Sequence, residues 1–170
     1  MVPSWQALGS ARAQAAGIAL CAGFAIVATI GMLLGARGFF GGTLGYSGGS
    51  AATFFKVLLA MLVPPATLAL ASLGIRRVLS ATSGFAADLF VAGASLAPLA
   101  LAILAAGILG MGNFEVIALL LLVALCYLVL MLHRGLTAIG GLSERAGPPA
   151  VPVLIALSTW LTKIALAAFF

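Results

Sequence analysis

Charge is what this 170-residue chain has least of: eight Lys or Arg, three Asp or Glu and one His. A soluble domain covers its surface with roughly 25% charged residues; here the share is 6%. That shortage excludes a stable water-facing surface. It also limits chemistry, because a catalytic site needs polar groups that converge, and the chain contains no HExxH, GxSxG or P-loop pattern. The net charge of +5 comes from basic residues scattered singly or as one pair, with no basic run that would suit nucleic acid. The two cysteines, Cys21 and Cys126, lie in apolar stretches and form no CxxC, so they read as small hydrophobes rather than metal or redox ligands. No cofactor, metal or catalytic residue is expected.

What the chain does have is long apolar runs. The hydrophobic fraction is 64% and the mean hydropathy +1.30. A hydrocarbon core about 30 Å thick takes about 20 residues per helical span. Five such spans fit, at roughly 16–36, 54–75, 85–109, 114–132 and 150–170. They leave short connectors and no room for an ordinary soluble domain. The expectation is an all-α polytopic membrane protein, one domain built as a bundle of five transmembrane helices. The first span is not read as a cleaved signal peptide, because no basic segment opens the chain and no small-x-small site follows.

Local signals refine the spans. Gly38 to Ser50 is rich in Gly and Ser and reads as a loop with interfacial aromatics. Pro64 and Pro65 interrupt the second span, removing two backbone donors, and predict a kink. Thr67 is near enough to serve a freed carbonyl. Pro98 sits at the centre of the third span. The turn Gly110 to Asn113 is so short that spans three and four must form an antiparallel hairpin. His133 and Arg134 close the fourth span, where a positive charge suits a helix C-terminus. A polar connector from Gly135 to Pro149 follows, and Pro152 opens the fifth span.

The basic residues set the topology. With the N-terminus in the cytoplasm, that side holds Arg12, Arg76, Arg77, Arg134 and Arg145, against Arg37 and Lys56 opposite. The positive-inside rule then places the N-terminus in and the C-terminus out.

Ionisable groups within spans are costly and are functional candidates by default. Four qualify: Lys56, Asp88, Glu115 and Lys163. Lys56, Glu115 and Lys163 fall toward the outer face, and Asp88 toward the inner face near Arg76, Arg77 and Arg134. The plainer account is snorkelling with local ion pairs, such as Glu115 with Lys56 or Lys163. The other is a polar site within the bundle, for which transport would call for more polar midplane residues than Ser95, Ser158 and Thr159. Gly31 and Gly35 form a GxxxG spacing, and Gly107 stands in a small-residue run; such surfaces let helices approach closely. In a chain this rich in Ala and Gly the spacing does not by itself specify a dimer.

About two-thirds of the chain, from Phe54 to Lys163, resembles the Yip1-like membrane domain of bacterial proteins. The resemblance lies in the order of "FFKVLLAML" (54–62), the stretch from Phe90 to Glu144 with its Pro and Gly-Asn turn, and "AVPVLIALSTWLTKI" (150–164). It implies a compact five-helix domain in a bacterial cytoplasmic membrane, and it supplies no catalytic residues. Many bacterial relatives carry an N-terminal zinc ribbon; the first fifteen residues here contain no cysteine and form none. The expected function is a non-enzymatic accessory, scaffold or assembly subunit, with the lipid bilayer and other membrane-protein subunits as partners and no nucleic acid. A small transporter or channel component using the intramembrane Lys and Asp is the alternative. A lipid-modifying enzyme comes third.

Overall fold

The computed structural model describes residues 9–39, 51–78, 84–110 and 114–169. They form five long helices: α1 (Gly9–Phe39), α2 (Ala51–Val78), α3 (Phe85–Leu109), α4 (Phe114–Arg134) and α5 (Gly147–Phe169). Each is long and apolar enough to cross a membrane, and no strand occurs among the described residues. The chain is an integral membrane protein with an all-α bundle. The third span coincides with its helix, 85–109, whereas α1 and α2 extend beyond both ends of the apolar cores read from the sequence. At 31 residues, α1 spans roughly 46 Å at a rise of about 1.5 Å per residue. It therefore reaches past the hydrocarbon or tilts within it.

The most extensive helix contact joins α1 to α3, which are not neighbours in the chain. Glycines make it possible. A Cβ on Gly107 would stand 2.2 Å from the carbonyl oxygen of Gly31, and one on Gly31 would stand 2.7 Å from the backbone of Ile103. Toward the other end Gly17 lies against Leu89 and Phe90, and Gly93 against Leu20 and Cys21. The pairings advance together along both helices, so α1 and α3 run parallel. The Gly31 and Gly35 face is thus filled by Gly107 of the same chain. Lipid offers no hydrophobic drive between helices, so close backbone packing of this kind is what binds them.

Around that pair the other helices are held less tightly. α2 packs on α1, α3 and α5, whereas α4 rests mainly on α3 and barely meets α5. α4 and α5 bury the smallest share of their spans. Buried apolar residues from all five helices form one core, including Phe24, Met61, Leu96, Leu128 and Leu154.

Two sequence expectations about the fourth span are corrected. The helix does not end at Arg134; it continues into a π-helical turn, Gly135–Ile139, in which Gly140 N–H donates to the Gly135 carbonyl (2.8 Å). Residues 135–139 are therefore no polar connector: Gly135 and Leu136 are buried. The cause is close packing, since a Cβ on Gly135 would meet Val91 Cγ1 at 2.5 Å. Gly141, at φ 71°, then turns the chain, and Leu142 N–H donates back to the Leu136 carbonyl (3.0 Å). α5 starts at Gly147, earlier than the sequence suggests. The Ser143 hydroxyl accepts from Ala146 N–H ahead of it, and prolines at 148 and 149 suit a helix start.

The expected loop, Gly38 to Ser50, is corrected at its start, since α1 continues through Phe39, a single Gly being tolerated within a helix; its remainder at 40–50 and the third-to-fourth turn at 111–113 lie outside the described residues. At its near edge Gly110 has φ 67° and caps α3 by donating to the Ala106 carbonyl.

Candidate functional site

The intramembrane polar groups separate into two regions. One lies where α2 ends and α3 begins. Ser72 and Arg76 stand four residues apart on one face of α2, and Asp88 lies in the first turn of α3. Arg76 Nη2 forms an ion pair with Asp88 Oδ2, and both side chains are 2% exposed. Ser72 Oγ donates to Asp88 Oδ1 at 2.8 Å, with the Ala69 carbonyl also in reach at 3.0 Å. Arg76 Nη2 also reaches the Gly84 carbonyl at 3.4 Å, in the residue that precedes α3. Two formal charges cancel, and three elements of the α2–α3 hairpin are tied together. Asp88 is thus enclosed rather than open to a passing ligand. The sequence placed Asp88 near the level of Arg76, Arg77 and Arg134 without choosing Arg76 as its partner. The signal was present: Ser72 and Arg76 at helical spacing end one span, and an acid opens the next.

The second region lies at mid-bundle and above. α2 runs unbroken through Pro64 and Pro65. Those prolines withdraw the donors that would serve the carbonyls of Ala60 and Met61. Thr67 does bond nearby, but to the Pro64 carbonyl (2.9 Å), so its expected service to a freed carbonyl is corrected. The same oxygen accepts from Ser158 of α5 at 3.4 Å. Ser158 is the central residue of α5 and Pro64 lies at the middle of α2, so this bond pins two helix midpoints together.

Beside it lies a cavity of ≈ 390 Å³ with walls from all five helices. That volume falls in the range of small-molecule sites. Its surface is overwhelmingly apolar, with Phe24, Met61, Leu96 and Leu128 among the lining residues. The polar rim comes from α5: Ser158, Thr159, Thr162 and Lys163. All three hydroxyls donate to backbone carbonyls, of Pro64, Ile155 and Ser158 respectively. The remaining polar group of the rim is the Lys163 ammonium, on an exposed side chain.

The other candidates are placed as follows. Lys56 and Glu115 are exposed near the starts of α2 and α4, at the same end of the bundle as Lys163. The expected pairing of Glu115 with Lys56 or Lys163 is not formed; the ion pair among the described residues is Arg76 with Asp88. All three are exposed, and a lone exposed ion pair gains little. Pro65 is buried, and Pro64 and Pro98 are half-buried. His133 is half-buried and accepts a hydrogen bond from Thr137 on its carbonyl (2.9 Å). Cys21 and Cys126 are free thiols, and no cluster of three metal-ligating side chains exists among the described residues. No family model, curated protein or solved structure matches this chain.

Proposed function

We propose that this chain is a non-enzymatic accessory or assembly subunit of a membrane complex, inserted with its N-terminus in the cytoplasm of a bacterial cell. The reading includes kinship with the Yip1-like membrane domains, with which a single five-helix unit is consistent. The observation that carries it is the state of α4. This helix leans on α3, barely touches α5 and presents Leu119, Leu122, Val123 and Leu130 outward, each more than half exposed. A membrane helix so lightly held by its own chain suits lateral packing against a neighbouring subunit's helix. The buried charge pair found among the described residues, Arg76 with Asp88, serves the fold, which leaves little for catalysis.

The test is purification in mild detergent, comparing wild type with Leu119→Arg and Val123→Arg. A subunit that co-purifies in stoichiometric amount and is lost from either variant, while the variant keeps its helical content, supports the reading. A wild-type chain that always runs alone in its native membrane extract overturns it.

A second reading, a small transporter or channel component, draws on the cavity beside Pro64 with Lys163 at its rim. Its test is flux from liposomes that falls on Lys163→Ala; unchanged flux removes this version. Asp88 lends it less, being closed off by Arg76 and Ser72.

A further inference from the structure

We propose that the mid-bundle cavity is a binding site for one acyl chain of an anionic membrane lipid, which enters between α4 and α5 and places its head group at Lys163. The site goes beyond the accessory role and does not depend on it.

Three observations fix the ligand's chemistry. The cavity walls are almost wholly apolar, so they suit hydrocarbon. The hydroxyls on the rim are already donating to carbonyls of Pro64, Ile155 and Ser158, so the wall offers no spare donor for a sugar or other polar body. The remaining polar group is a cation: Lys163 is exposed, and no carboxylate lies within ion-pairing distance of it among the described residues. A hydrocarbon chamber with a single positive charge at its rim is complementary to an amphiphile with a negative head.

Depth agrees with that assignment. Ser158 marks the middle of α5, and Lys163 stands five residues beyond it, roughly 7–8 Å closer to the membrane boundary. Its stem reaches the head-group level from there while the methylenes stay in hydrocarbon. The entry side is also defined. The lining residues Leu125 of α4 and Thr159 of α5 are exposed, and they flank the slight contact between those two consecutive spans. A lipid can therefore exchange sideways without leaving the bilayer.

The test uses the full chain, purified away from any co-purifying subunit. It is transferred into detergent micelles with equal amounts of phosphatidylglycerol and phosphatidylcholine of matched chains, and native mass spectrometry reads retained lipid. Wild type is expected to retain one phosphatidylglycerol with a preference of about fivefold, the effect of one lysine near an anionic head. Lys163→Ala is expected to remove the preference while keeping chain binding, and Lys163→Arg to keep both. Leu99→Trp, which fills the cavity, is expected to abolish retention of both lipids. Thr162→Phe is the second filling variant should Leu99→Trp lose helical content. Equal retention of the two lipids by wild type, a preference untouched by Lys163→Ala, or retention that survives filling overturns the proposal, the last by showing only surface lipid.

Discussion

Arg76, in the last turn of α2, and Asp88, in the first turn of α3, meet as an ion pair from which water is almost entirely excluded. Breaking such a pair leaves one charge buried and uncompensated, which costs about 3–5 kcal/mol. Asp88→Asn is therefore expected to lower the unfolding midpoint sharply in detergent. Arg76→Met with Asp88→Leu removes both charges and is expected to lose far less, within about 1 kcal/mol of wild type, because apolar replacements often match a buried pair. Equilibrium unfolding of the three proteins, read by far-ultraviolet circular dichroism, checks the ordering.

The α1–α3 contact gives a prediction with an internal control. Gly107→Ala places a Cβ against the Gly31 backbone, which cannot swing aside as a side chain can. Separation of the helices is expected to cost about 1–3 kcal/mol. Gly23→Ala in α1 meets nothing within 4 Å, and it should gain about 0.5–1 kcal/mol from the helical preference of Ala. Opposite signs in one unfolding assay support the packing described; equal effects refute it.

Gly135 and Val91 should be coupled. Gly135→Ala forces a methyl into the Val91 side chain, and Val91→Ala withdraws the two atoms nearest to it. Each single change is expected to destabilise. The double variant should recover about 1 kcal/mol or more relative to the sum of the singles, the signature of residues in contact. A double-mutant cycle measures it.

The neighbouring hydroxyls of Ser158 and Thr159 make a finer prediction. Ser158→Ala removes the bond between α5 and α2 and is expected to cost about 0.6 kcal/mol, the average for hydrogen bonds between membrane helices. Thr159→Ala, whose hydroxyl is exposed and bonded within its own helix, should be near neutral. Resistance to thermal unfolding in micelles separates the two.

Much of this architecture was legible from the chain because hydrocarbon leaves so few options. Where backbone groups lack water they must bond within a helix, so apolar runs translate directly into spans. The helix ends were less legible. Nothing in the residues from Gly135 to Ile139 announces a π-helical turn, since it arises from contact with Val91 on another helix. Partnerships were harder again. Glu115 and Lys163 share a level and opposite signs yet do not pair, while Arg76 and Asp88 pair because their helices converge at a short linker. The cavity could not be read at all, since it depends on how loosely α4 meets α5.

The union of α1 with α3 also dictates an order of birth. Gly107 follows Gly31 by 76 positions. At about 5–20 residues per second, the ribosome takes roughly 4–15 s to deliver α3 after the glycine face of α1 has been made. For that interval α1 has no permanent mate and must sit beside α2, the insertion machinery or lipid. Assembly of this protein in the bilayer is therefore gated by translation: the tightest joint in the bundle cannot close until the third helix arrives.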